Sequence, residues 1–201
     1  MTPLSTADGR GASVVDPGIA RFQAVIRGNR SRKIHVERVK QNLAWAPFVP
    51  CSHDAVDAML RLANVTAEDV VLDIGCGDGR IVFAAVDAPF SARHAIGVDI
   101  DPALIAQCQH MQHRRRPEIP ANNVTFILDD WVHVDMSLVT VVTLFFLPHP
   151  SIATDLRAKC QPGTRIVTYV FEIGEWTPVA TGVTVPFLKE HGESPLFLYQ
   201  I

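Results

Sequence analysis

The sequence predicts an α/β protein with a doubly wound, mostly parallel sheet of seven strands, preceded by a helical N-terminal extension. From residue 69 onward, segments suited to buried strands alternate with segments of helical periodicity, which is typical of a parallel sheet covered on both faces. One strand-like run ends in a glycine-rich turn at residues 75–79. With 201 residues, of which 48% are hydrophobic, the chain can bury a substantial core.

Charge divides the chain into two expected parts, a tail with a basic helical extension at residues 1–45 and a domain at residues 46–201. The first part holds eight of the 18 Lys and Arg residues and three of the 21 Asp and Glu residues. The second part is therefore acidic. The net charge of −3 argues against a general nucleic-acid binder, whereas the basic extension is either a solvated arm or a surface for an acidic partner.

Each element of the domain follows from local signals. Ser52 resembles an N-cap, and the pair Asp101–Pro102 suits the start of a helix. Apolar runs between turn residues predict the strands. Four helices are expected: one begins after Ser52, and the others span 80–86, 101–114 and 151–159. The expected strands span 69–74, 95–100, 124–128, 138–146, 164–171, 179–185 and 195–201.

The four cysteines show no metal-ligand spacing, so we predict no metal site and expect reduced thiols in a reducing compartment. No apolar run reaches the length of about 20 residues that a transmembrane helix needs. The N-terminus lacks the apolar core of a signal peptide. We therefore expect a cytoplasmic protein, and a mitochondrial location stays open.

The glycine-rich turn follows a strand and an acidic residue. A phosphate-binding P-loop requires a lysine that is absent here, and a dinucleotide fingerprint reads GxGxxG, whereas this chain has GxGxG. Asp73 at the strand end would repel a pyrophosphate but attract a cation. S-adenosylmethionine carries a sulfonium and an ammonium, so it suits this turn better than a dinucleotide does.

The next two predicted strands also end in acidic residues. Asp99 can accept hydrogen bonds from ribose hydroxyls, which does not separate NAD from S-adenosylmethionine. In the run ILDDW, an acid can accept a hydrogen bond from an adenine amine. Trp131 could pack on the adenine or on the core.

Three segments, VVLDIGCGDGR, AIGVDIDP and VTFILDDW, resemble the first three cofactor motifs of class I S-adenosylmethionine-dependent methyltransferases, in order. A narrower resemblance rests on PFVP, VVTLFFLP and PGTRIVTYVFEIGEW. It is to the small protein-lysine methyltransferases related to those acting on the ATP synthase c-subunit and the adenine nucleotide translocase. The resemblance implies a Rossmann-like class I methyltransferase domain that uses S-adenosyl-L-methionine.

The resemblance also implies roles for individual residues. Asp73 and the glycines would line the methionine half of the cofactor, Asp99 would hold the ribose, and Ile100 would lie against the adenine. Asp130 aligns better than Asp129 with the acid that faces the adenine amine. The expected cofactor-site residues are Asp73, Gly75, Cys76, Gly77, Gly79, Asp99, Ile100, Asp129, Asp130 and Trp131.

The end of the fourth strand would border the acceptor nitrogen, with the loop at 47–51 across from it. The acceptor-site candidates are Phe146, Leu147, Pro148 and His149. His149 stands where the family has an acidic residue, which leaves acceptor recognition open. It could take the proton from the acceptor or be a solvated loop residue.

We therefore expect N-methylation of a lysine side chain by in-line methyl transfer, with a protein substrate and no specific nucleic acid. A small-molecule or RNA methyltransferase is the alternative within enzymes, because cofactor motifs do not define the acceptor. A non-catalytic, cofactor-binding partner subunit is the alternative outside them.

Overall fold

The computed structural model describes residues 48–115, 123–145, 151–187 and 191–201. The predicted tail and basic extension at residues 1–45 lie outside the described residues. Residues 49–201 form one compact unit. Its helices are α1 (His53–Leu62), α2 (Arg80–Val86), α3 (Pro102–Arg115) and α4 (Ile152–Lys159), and its strands are β1 (Val70–Ile74), β2 (His94–Asp99), β3 (Val124–Leu128), β4 (Val141–Leu144), β5 (Arg165–Tyr169), β6 (Ala180–Thr184) and β7 (Ser194–Gln200).

Within the described residues, the seven strands form one sheet in the order β3-β2-β1-β4-β5-β7-β6. Strands β1 to β5 are parallel, whereas β7 pairs antiparallel with β5 and β6. The doubly wound, mostly parallel fold is therefore confirmed. The chain runs outward from β1 to β3 and then returns to β4 on the other side of β1. Open α/β sheets bind ligands at such a switch point, beyond the carboxyl ends of the strands.

The helices and strands predicted for the domain from local sequence signals are present, with one difference in where a strand begins. The Ser52 side chain accepts a hydrogen bond from the Ala55 amide at 3.1 Å, which caps α1. The fourth strand begins at Val141, not at Leu138. Leu138 is 73% exposed, and the Val139 amide bonds to the Met136 carbonyl in a turn.

Two apolar layers cover the sheet. The first contains the buried faces of α1, α2 and part of α3, and the second contains the buried face of α4. Alternation along β1 places Val71 in the first layer and Leu72 in the second. Asp73 is therefore on the same face of the sheet as α1 and α2. Within the described parts of the chain, no helix is long and apolar enough to cross a membrane.

At the amino ends of the strands, opposite the glycine-rich turn, Asp69 and Arg165 connect β1 and β5. Asp69 is buried, pairs with Arg165, and accepts hydrogen bonds from the hydroxyls of Thr66 and Thr140 at 3.1 and 2.7 Å. Burial works to raise the pKa of Asp69, but these donors and Arg165 together lower it. The Asp69–Arg165 ion pair therefore stabilises the end of the sheet that is remote from the glycine-rich turn.

Candidate active site

The glycine-rich turn connects β1 to α2. Gly75, Gly77 and Gly79 have φ angles of +72°, +56° and +78°, which a side chain would strain. The amides of Gly75 and Cys76 both donate to the Val98 carbonyl, at 2.8 and 3.0 Å. These bonds fasten the turn to the end of β2.

Two glycines allow the turn to approach β3 closely. A Cβ on Gly79 would lie 2.9 Å from the Phe126 ring and 3.1 Å from the Cys108 sulfur. A Cβ on Gly97 would lie 2.8 Å from both the Cys76 sulfur and the Phe126 ring. The Cys76 side chain is thus buried beside Gly97, and only its backbone belongs to the surface of the turn.

Asp99 holds the middle of the turn from the end of β2. Its carboxylate accepts hydrogen bonds from the amides of Gly77 and Asp101, each at 2.9 Å. Burial raises the pKa of Asp99 despite these bonds. Each carboxylate oxygen can accept further hydrogen bonds, so the oriented group can also receive a pair of ligand hydroxyls. Ile100 follows it directly and is half-buried.

Asp73 is the buried acid of the site. It is 2% exposed and accepts a hydrogen bond from the Thr143 hydroxyl at 2.7 Å, from the facing position of β4. Burial raises its pKa to about 7, and the charges of Asp99 and Asp78 add to the effect of burial. A buried carboxylate with acidic neighbours favours a cationic ligand. The ammonium of S-adenosylmethionine therefore fits this position, whereas a pyrophosphate does not.

The acids after β3 shape their own turn. Asp130 caps a short 3-10 helix (Trp131–His133) by accepting from the Val132 amide at 3.2 Å. Asp129 accepts from the Asp130 amide at 2.7 Å and pairs with His133 at 2.8 Å, and His133 lowers the pKa of Asp129. Both acids are exposed. Trp131 is half-buried and packs against the second apolar layer.

The acceptor-site candidates at residues 146–149 lie outside the described residues. Among the described residues, the Cys51 carbonyl accepts a hydrogen bond from Arg80, the first residue of α2. Arg80 also pairs with Asp78, with Nε and Nη2 at 2.9 and 2.5 Å from the two carboxylate oxygens. Burial and then the Asp73 charge raise the pKa of the Cys51 thiol to about 12, which favours the protonated thiol over the reactive thiolate.

Sequence reasoning missed three residues that build the site, namely Thr143, Gly97 and Arg80. A polar residue inside the apolar run VVTLFF was the available signal for Thr143. The glycine in AIGVD was the signal for a close approach of two backbones. The arginine followed the glycine motif directly, but its link to residue 51 spans 29 positions and has no local sequence signal.

A doubly wound sheet whose switch point carries a glycine-rich turn, a buried acid at the end of β1 and a second acid at the end of β2 is the arrangement of a class I S-adenosylmethionine-dependent methyltransferase. The chain matches the family model described as the ANTKMT methyltransferase domain over residues 73–180 and belongs to this family. It is an enzyme that uses S-adenosyl-L-methionine as the methyl donor.

Two similar relatives are named lysine methyltransferases. A protein-lysine N-methyltransferase of Saccharolobus islandicus is 36% identical over 138 residues, which cover 66% of this chain and 81% of the relative. The ATP synthase c-subunit lysine N-methyltransferase of Rattus norvegicus is 29% identical over 134 residues, covering 66% and 59%. An RNA methyltransferase from Salinibacter ruber, crystallised with S-adenosyl-L-homocysteine, superposes with a TM-score of 0.62. It is 34% identical, and the match covers 76% of this chain and 94% of that chain.

Proposed function

We propose that this enzyme transfers the methyl group of S-adenosylmethionine to the side-chain nitrogen of a lysine in a protein. The observation that supports it most is the likeness to the protein-lysine N-methyltransferase of Saccharolobus islandicus, which extends over 81% of that relative. The relative named for the ATP synthase c-subunit supports the same acceptor, although the chain spans 59% of its length.

The proposed chemistry requires alignment and a neutral amine. Transfer from a sulfonium is an in-line displacement, so the residues around it align the two reactants and exclude water. A lysine amine with an ordinary pKa near 10.4 costs about 4–5 kcal/mol to deprotonate at pH 7. An apolar lining lowers that cost by disfavouring the ammonium form. The site residues proposed for cofactor binding are those predicted above, with Phe146, Leu147, Pro148 and His149 proposed at the acceptor.

RNA is the competing acceptor, because the structurally similar enzyme from Salinibacter ruber is named an RNA methyltransferase. RNA binding requires neutralisation of several phosphates by Lys and Arg. Residues 46–201 carry ten Lys and Arg residues against eighteen Asp and Glu residues. This balance favours a protein acceptor over RNA. The proposed basic extension at residues 1–45 would then contact an acidic partner.

We propose a cytoplasmic location, with mitochondria as the alternative. All four cysteines are free and buried, which suits a reducing compartment. A fluorescent fusion carrying the label at the C-terminus would distinguish the two locations.

The acceptor can be identified by labelling. The purified enzyme would be incubated with radiolabelled S-adenosylmethionine and a lysate of cells in which its gene has been deleted, with the Asp73→Asn variant as the inactive control. We expect radiolabel on protein, and this label should survive nuclease treatment. Mass spectrometry should locate the methyl group on lysine. Label in RNA or metabolites, with none on lysine, would refute the proposal. Cofactor binding without any transfer would indicate a non-catalytic partner subunit.

A further inference from the structure

Three aromatic rings form a cluster beyond the carboxyl ends of β4 and β5. Phe145 follows β4 directly, Tyr169 is the last residue of β5, and Phe187 lies in the segment between β6 and β7. The ring centroid of Phe145 is 4.8 Å from that of Tyr169 and 5.0 Å from that of Phe187. We call these three residues the aromatic wall.

The aromatic wall lies on the same face of the sheet as Asp73. Phe145 is two residues beyond Thr143, the hydroxyl donor to Asp73, and alternation therefore gives both residues one face. Tyr169 and both phenylalanines pack in the apolar layer that contains α1 and α2. The cofactor motifs occupy the ends of β1, β2 and β3. The aromatic wall is thus on the other side of the switch point, where the second reactant must approach.

Hydrogen bonds hold the wall in place. The Tyr169 hydroxyl donates to the Val185 carbonyl at 3.0 Å, and the Phe187 amide donates to the Ser194 hydroxyl at 2.9 Å. The first bond holds the segment after β6 against the end of β5, and the second holds it against the start of β7. Tyr169 is fully buried, whereas Phe145 and Phe187 are only half-buried. Phe145 and Phe187 therefore keep part of their surface accessible.

We propose that the aromatic wall binds the aliphatic stem of the acceptor lysine, with Phe145 and Phe187 in contact with it and Tyr169 as a positioning residue. The proposal rests on the proposed lysine acceptor. The rings exclude water and so favour the neutral amine. The three pairs of rings are inclined at 38°, 88° and 76°. No two of them are parallel, so they provide no slot in which a flat base could be stacked between rings.

Two conservative variants test the wall. Tyr169→Phe removes only the hydroxyl, which bonds to the Val185 carbonyl and to the Ser194 side chain. Phe187→Leu keeps an apolar side chain but removes a ring. The matched control is Tyr199→Phe. Tyr199 is equally buried and its hydroxyl accepts from the Ile173 amide at 3.1 Å, but it packs with Trp176 in the apolar layer on the other face of the sheet.

The measurements are the dissociation constant of S-adenosylmethionine by calorimetry and the steady-state constants for an acceptor that the wild-type enzyme labels. We expect the acceptor KM to rise about fivefold or more in both wall variants. The cofactor dissociation constant should stay within about twofold of wild type, and the control should change neither. An unchanged acceptor KM in both variants would refute the proposed role of the aromatic wall. An equal rise of the acceptor KM in the control would refute it as well. Failure of the proposed lysine acceptor would give a different result, because the wild-type enzyme would then label RNA or metabolites.

Discussion

Asp73→Asn should stabilise the cofactor-free enzyme at neutral pH and at the same time abolish cofactor binding. The wild-type carboxyl has a pKa of about 7, against an ordinary value of 3.8. A difference of about three units corresponds to about 4 kcal/mol. The pKa of Asp73 is higher in the folded protein than in the unfolded chain. The folded state is therefore favoured by this amount below pH 3.8, and the contribution is lost as the pH rises toward 7. An asparagine can still accept the Thr143 hydroxyl bond but has no charge to bury.

The assay is urea unfolding of both proteins between pH 5 and pH 8 without cofactor. We expect the variant to gain up to about 4 kcal/mol over wild type at pH 8, and the gain should shrink toward pH 5. Calorimetry should show wild-type affinity for S-adenosylmethionine falling as the pH drops below about 7. In the variant, binding should be undetectable throughout this pH range.

Asp69→Asn is the matched control, because Asp69 is also buried but has a lowered pKa beside Arg165. This variant should lose about 3 kcal/mol of unfolding free energy at pH 8, with unchanged cofactor affinity in the folded protein. If Asp73→Asn also destabilised the enzyme at pH 8, with a difference from wild type that did not vary with pH, the reasoning about its buried charge would be wrong.

Four further substitutions, one of them tested in a double variant, probe the turn. Gly97→Ala should lower the unfolding free energy by about 1–3 kcal/mol by overpacking, and Cys76→Ala should restore part of it in the double variant; purely additive losses in urea melts would contradict the contact. Asp99→Asn should weaken S-adenosylmethionine binding about tenfold, because one turn amide loses its acceptor; calorimetry at wild-type affinity would exclude this. Arg80→Met should speed amide hydrogen exchange around Cys51 but not in β5, and unchanged exchange would disprove the link.

The glycine-rich turn and the acids at the strand ends could be predicted from the sequence because their signals are local. A strand, a turn and a helix follow one another within residues 70–86, and each neighbouring acid stands at the end of its own strand. The same locality explains the error at β4. An apolar run shows which residues avoid water, but the turn at Leu138 is made by backbone bonds that the run does not reveal.

The aromatic wall could not be predicted in the same way, because its residues meet only in the folded sheet. Tyr169 lies 24 positions after Phe145, and Phe187 lies 18 positions after Tyr169. In the sequence, Tyr169 reads as an ordinary strand residue. Only the placement of β5 beside β4, and of the segment after β6 over both, brings the three rings together. Their role at the acceptor stays a prediction.

The position of Asp73 between the glycine turn and β4 implies an order of binding. An acceptor that arrived first as an ammonium could pair with the Asp73 carboxylate, which would hold its amine in the unreactive protonated form. Once the cofactor ammonium neutralises Asp73, the amine meets a sulfonium and apolar rings, and both favour its neutral form. We therefore expect S-adenosylmethionine to bind before the acceptor. Product inhibition by S-adenosylhomocysteine should then be competitive with the cofactor and noncompetitive with the acceptor, whereas binding of the acceptor to the cofactor-free enzyme at equal affinity would refute the order.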